Sequence, residues 1–340
     1  MRKTLCLLLF LAMLPLQGCA QRVELAFVAV CLGVDAAEDG VTLTVKCPSY
    51  GGGSRQEEKD AYTVLSAQGE DWPRAVAALY AASPVSPQFS QLREIVISRP
   101  SFDILLPEEL LRCADQLPGI RVHALVTVCP GCAADYIEAL KPEIGKRLSK
   151  YLDISLRHAE EQGMLPATSL SCALRDLSGP WRDPVLAYAD TGKVPQGAAM
   201  GSLGITLLTS REVQLYRLLR GESQALLLKS GGRYYGVSAR GRAKREVTGS
   251  TLLLTVPVYI TYSLYDAPPD EEAANQLQSE LQSFLRRLQA AGCDALGFGC
   301  AAVREYDTLP EWLSSGWESR YRRADAIVRV EARARQQPLQ

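Results

Sequence analysis

The stretch TLLLTVPVYITYSL, Thr251 to Leu264, sets Leu252, Leu254, Val256, Val258 and Ile260 in alternation, with Leu253 the one aliphatic residue among the Thr, Tyr and Pro between them. A period of two over that length predicts a long strand with one face in a core. Just downstream, Pro268-Pro269-Asp270-Glu271-Glu272 carries the prolines and acids that suit a helix start. Leu277, Leu281, Phe284, Leu285 and Leu288 then fall at i, i+4, i+7, i+8 and i+11. That is one face of an α-helix, shaped to lie on the sheet to which Thr251–Leu264 belongs. A last alternating run, Ala326 to Ala334, closes this sheet, and shorter strand runs at Leu203–Thr209, Gln224–Lys229 and Tyr234–Ala239 precede it.

Upstream the pattern differs. Val23–Val34 and Val41–Cys47 are β-rich runs joined by Ala36-Ala37-Glu38-Asp39-Gly40, a hairpin signal. Trp72–Ala82 has helical spacing, Glu94–Ser98 is a short strand, Leu105–Gln116 reads as a helix, and Val122–Val128 is a buried strand followed by a helix at Ala133–Leu140. Trp181–Ser202, rich in Pro and Gly and without periodicity, reads as an interdomain linker. The predicted fold is α+β and multidomain, with mixed or antiparallel sheets and packed helices. Its expected parts are a signal segment at 1–18, an N-terminal α+β region at 19–183 of one or two subdomains, a linker at 184–202 and a C-terminal α+β domain at 203–335.

The 340 residues are 47% hydrophobic and 22% charged, enough to bury a sizeable core. Net charge is −1, and about −3 once Arg2 and Lys3 are removed with a signal. That balance offers no long-range attraction for nucleic acid or anionic lipid. At the N-terminus, Arg2 and Lys3 precede a short apolar stretch ending in Leu16-Gln17-Gly18-Cys19, which reads as a lipoprotein signal with Cys19 as the lipidated first residue of the mature chain. Two or more acyl chains hold a protein stably where one does so marginally. The expected location is therefore the outer face of the cytoplasmic membrane. Ten cysteines are many for this length, and eight remain beyond Cys6 and Cys19, in a compartment where disulfides persist. Cys31 and Cys47, placed roughly opposite by the hairpin, are one candidate disulfide, the alternative being two buried thiols.

Cys129-Pro130-Gly131-Cys132 follows a predicted strand and opens a predicted helix, a context that lowers thiol pKa in thioredoxin-like proteins. A membrane-tethered thiol-disulfide oxidoreductase using Cys129 and Cys132 is one reading; a structural disulfide or two reduced thiols is the other. His123 and His158 are the only histidines, and no spacing completes a metal site. Gly297-Phe298-Gly299 lacks the third glycine and preceding strand of a dinucleotide fingerprint. No catalytic constellation, cofactor motif or metal-ligand set stands out. The expectation is a non-enzyme, with a solute-binding lipoprotein as a further alternative.

Asp294-Ala295-Leu296-Gly297-Phe298-Gly299, Pro310-Glu311-Trp312, Trp317, Tyr321 and the closing strand resemble the end of the Ger(x)C spore germination lipoproteins, the C subunits of nutrient germinant receptors. At the other end, Cys19, Glu24-Leu25 and Gly33-Val34-Asp35 resemble the family's lipidation site, acidic-Leu pair and strand ending in Gly-x-Asp. Val64–Gly69 is similar to its segment before the first helix. The family's Trp after the lipidated Cys is Ala20 here, and the cysteine richness is not a family feature. The resemblance implies palmitoylation at Cys19, a place at the spore inner membrane, and action by contact with A and B membrane subunits in nutrient-triggered germination. Trp312 and Trp317, about 140° apart on one continuous helix, are expected to play separate roles. One would be a core anchor between the 277–290 helix and the last strand, the other a partner contact.

Overall fold

The computed structural model describes residues 27–48, 62–83, 85–104, 111–112, 114–142, 147–166, 168–190, 196–222, 226–263, 268–269 and 271–336. The 1–18 segment and Cys19 lie outside these residues, as do Cys113 and most of the expected 105–116 helix.

Fifteen strands are described: β1 (Phe27–Val28), β2 (Cys31–Ala37), β3 (Gly40–Pro48), β4 (Tyr62–Gly69), β5 (Pro87–Gln88), β6 (Glu94–Ser98), β7 (Leu125–Cys129), β8 (Val185–Tyr188), β9 (Gln196–Gly201), β10 (Gly204–Leu208), β11 (Leu226–Ser230), β12 (Arg233–Ala239), β13 (Lys244–Thr248), β14 (Thr251–Tyr262) and β15 (Asp325–Gln336). The first large sheet has eight strands in the order β10-β9-β8-β7-β6-β2-β3-β4. Its centre, β2-β6-β7-β8, is parallel, and antiparallel strands extend it on both sides. Parallel neighbours need crossovers, which is why helices alternate with strands in this half. β6 and β7 are buried throughout.

The second sheet is organised by β14, as its alternation predicts. β15 runs parallel along its whole length on one edge, while β12 and β13 pair with its two halves on the other. Leu252, Leu254, Val256, Val258 and Ile260 are buried beneath the helix Glu271–Ala290, whose Leu277, Leu281, Phe284, Leu285 and Leu288 are buried in the same cluster.

The expected linker at 184–202 is corrected by the structure. Val185–Tyr188 and Gln196–Gly201 are strands β8 and β9 of the eight-stranded sheet, and β10 follows directly. Gly197 and Gly201 read as breakers but are there for close approach. A Cβ on Gly197 would lie 2.8 Å from Val213 Cγ2, and one on Gly201 would lie 2.8 Å from Cys293 Cβ. The first sheet thus runs to Leu208, and its last strands pack against the C-terminal helix layer.

Candidate functional site: a helix clamp and an interdomain clasp

The hairpin β2–β3 turns through two residues, Glu38 and Asp39, so Ala37 pairs with Gly40 and Cys31 with Lys46. Cys47 is then on the opposite face of the sheet from Cys31, and each thiol is buried in a different core cluster. The candidate Cys31–Cys47 disulfide is therefore replaced by two separated thiols. All seven described cysteines are free thiols, Cys129 and Cys132 included.

Cys129 ends β7 and Cys132 precedes the helix Ala133–Ala139. The expectation that this helix start lowers the thiol pKa fails for a definite reason. Asp35, at the end of the Gly33-Val34-Asp35 stretch, already occupies the helix N-terminus: Ala133 N donates to its Oδ1 at 2.8 Å and Ala134 N to its Oδ2 at 3.0 Å. Burial pushes the Cys129 thiol up to about 12, and the Asp35 charge adds to it. Cys132, exposed, is also raised, first by desolvation, and its Sγ donates to Asp35 at 3.4 Å. These are thiols held protonated, the reverse of what a redox nucleophile needs.

The other end of this helix is closed by Lys46 from β3, whose Nζ donates to the carbonyls of Ile137 (2.7 Å), Glu138 (3.1 Å) and Leu140 (2.6 Å). One hairpin thus supplies an anion to the positive end of the helix and a cation to the negative end. Gly33 makes room for it, since a Cβ there would lie 2.8 Å from Ile137 Cδ1. Beneath the clamp, Glu94 is buried in β6. Its Oε1 accepts from Thr127 Oγ1 at 2.8 Å, and the Tyr136 hydroxyl acts on the same carboxyl. Desolvation raises its carboxyl to about 7.

The C-terminal stretch Asp294–Gly299 uses a carboxylate in a similar way, but between the two parts of the chain. Asp294 Oδ1 accepts from Phe298 N (2.8 Å), and Oδ2 from Gly299 N (2.6 Å) and Trp317 Nε1 (3.3 Å). Its own N–H donates to Asp183 Oδ2 at 2.6 Å. The two glycines admit the exit segment of the N-terminal part. A Cβ on Gly299 would lie 2.5 Å from Trp181 O, and one on Gly297, itself at φ +74°, would lie 2.7 Å from Arg182 Nε. Trp312 is buried and donates Nε1–H to Pro180 O at 3.2 Å. Arg182 and Arg220 both donate to buried Asp176 at 3.2 Å, tying helices Leu170–Leu177 and Ser210–Arg220 to the same segment. Burial raises Asp294 to about 7 and Asp183 to about 6.

Trp312 and Trp317 are not on one continuous helix. Helix Leu309–Ser314 stops, Gly316 takes the left-handed conformation at φ +61°, and helix Trp317–Arg323 restarts. The break brings the two rings together at 5.5 Å, in a row that continues to Tyr321 at 6.0 Å from Trp317. The anchor to helix 271–290 is Tyr321, whose hydroxyl donates to Cys293 O at 3.0 Å while Gln289 Nε2 donates to Tyr321 O at 2.8 Å. Trp312 instead grips the 180–183 segment. His123 is exposed in the turn before β7 rather than within a strand, and His158 is exposed on helix Leu148–Glu161. Among the described residues no cluster of His, Cys, Asp and Glu forms a metal site.

Asp183, Trp181 and Glu94 escaped the sequence reading. Glu94 had a signal, a lone acid opening an otherwise apolar run; Trp181 and Asp183 lay in a segment without periodicity.

These features define an α+β protein in which one buried carboxylate, Asp35, organises the N-terminal half of the fold and another, Asp294, joins the two halves. The comparisons place that architecture. A model described as "Spore germination protein N-terminal domain" matches residues 21–191, and one described as "Spore germination B3/GerAC like, C-terminal" matches residues 268–337. The chain belongs to the Ger(x)C family of spore germination proteins. A solved structure titled "Crystal Structure of the GerBC protein" shares the fold at 11% identity and a TM-score of 0.52, with 89% of this chain and 96% of that one covered. No curated protein matches the chain.

Proposed function

We propose that this chain is the lipid-anchored C subunit of a spore germinant receptor, acting by protein contact in nutrient-triggered germination. The observation that carries the reading is the pair of family matches, at 21–191 and 268–337. Lipid on Cys19, after the Leu16-Gln17-Gly18 box, holds the body at the outer face of the spore inner membrane. Among the described residues no helix is long and apolar enough to cross a membrane, so in this reading the acyl chains supply the attachment. The partners are the A and B membrane subunits of the receptor. Action by contact rather than catalysis is supported by the use of the best-formed carboxylate sites, at Asp35 and Asp294, as caps and ties within the fold.

The test is complementation. Spores lacking the chain should lose their nutrient response; wild type should restore it, whereas Cys19→Ala should not and should escape fatty-acid labelling and leave the membrane fraction. Full restoration by an unlabelled Cys19→Ala chain would remove the anchor from this account.

A further inference from the structure

Beside the Asp294 clasp, the two parts of the chain leave an open cleft of about 530 Å³, walled by Trp181, Trp312 and Trp317, with Asp183, Asp294 and Glu318 among its lining. Its surroundings are apolar. Leu313, which lines the cleft, is 61% exposed, and Leu309, one helical turn away, is 52% exposed. Leu203, 59% exposed in the β9–β10 turn, lies beside Gly292 of the cleft wall. Single exposed leucines are ordinary, but three around one aromatic cleft mark a contact surface.

Acids outnumber cations in the cleft. Arg182 also lines it, with its guanidinium paired to Asp176, Arg245 acts by its charge on buried Asp294, and Arg320, stacked 5.8 Å from the Trp317 ring, donates to the Tyr306 hydroxyl. Arg322 has its stem beside Gly292. Among the described residues Glu318 takes part in no hydrogen bond or ion pair, and its charge adds to the burial that raises Asp183. Carboxylates raised in this way are stabilised by an arriving cation. A basic group fits the acids, and apolar neighbours on either side of it fit the leucines.

We propose that this cleft docks a segment of a partner protein in which a Lys or Arg side chain is flanked by apolar residues, the cation meeting Asp183 and Glu318 and its neighbours covering Leu203, Leu309 and Leu313. The proposal rests on the receptor reading above, which puts the segment on an extracytoplasmic part of a membrane subunit.

The experiment titrates peptides tiling the extracytoplasmic segments of the receptor's membrane subunits onto the full chain, read by tryptophan fluorescence. It is paired with co-purification of the subunits by wild type, Glu318→Lys and Leu313→Asp. Both substitutions are at the surface, and thermal melting checks that the folds match. The expected result is binding by a peptide with a basic residue between apolar ones, weakened by salt. Glu318→Lys should weaken it about tenfold or more (~1.4 kcal/mol), and Leu313→Asp should weaken it as well. Affinity should climb from about pH 5 to about pH 8 as protons leave the two raised aspartates. The proposal is overturned if the tightest peptide lacks a basic residue, if both variants bind like wild type, or if the cleft instead mediates self-association that Glu318→Lys abolishes. Failure of the receptor reading looks different: wild type then retains neither membrane subunit and no peptide binds. Retention of the subunits by wild type and both variants alike spares that reading and overturns the cleft.

Discussion

Asp35 and Asp294 face the same local problem, two successive backbone N–H groups to satisfy, and their surroundings give the solutions different reach. Asp35 serves a helix of its own layer, and Lys46 of the same hairpin closes the other end. Everything it organises lies within the first sheet and the helix upon it. Asp294 binds two N–H groups of its own loop, the indole of Trp317, and, through its backbone, Asp183 from the other part of the chain. The first carboxylate builds a half of the molecule; the second joins the halves.

Loss of an anchor at the clasp should therefore cost more than loss of the clamp. The largest effect expected is from Trp312→Ala, which empties a buried site and frees the Pro180 carbonyl, at roughly 3 to 5 kcal/mol by denaturant unfolding. Asp294→Ala comes next, at roughly 2 to 4 kcal/mol, because it leaves several buried donors unpaired. Asp35→Ala should cost about 1 kcal/mol, as for a lost helix cap. Equal losses for the two aspartates would break the contrast between them. Gly33→Ala should cost about 1 kcal/mol, and since the clash is with the tip of one side chain, Ile137→Val should recover most of it. Absence of rescue would mean that the helix backbone, not that methyl, sets the spacing.

The smallest effect is in pH dependence. Glu94, Asp183 and Asp294 have folded values raised above their unfolded ones. The folded state therefore holds their protons more tightly, and their contribution to stability falls as pH rises from about 4 to about 7. Glu94→Gln should flatten part of that fall, since burial raises its carboxyl against the opposing hydrogen bonds of Thr127 and Tyr136. An unchanged slope would show that Glu94 titrates normally.

The sequence was most legible where one period ran unbroken. The Thr251–Leu264 alternation and the Leu277–Leu288 stripe both placed their residues in the core as expected. It failed where a single residue decides register or direction. A two-residue turn at Glu38-Asp39 sets Cys31 against Lys46, and one step of register separates that from a cysteine pair. Ser315-Gly316 carried a helix-stop signal, and passing over it left Trp312 and Trp317 apart when the break stacks them. The 184–202 strands were hidden because their glycines answer to neighbours distant in sequence. Likewise the thiol environment of Cys129 depends on Asp35, nearly a hundred residues away, which no local spacing reports.

The central claim is that this chain serves a germinant receptor by contact, not by thiol chemistry. Nutrient-triggered germination, followed in spores that lack the chain and carry instead the Cys129→Ser/Cys132→Ser double variant at normal level and melting temperature, tests it most directly. The account predicts no nutrient response without the chain and full restoration by the double variant. Normal germination without the chain, or failure of the folded double variant to restore it, would contradict the account.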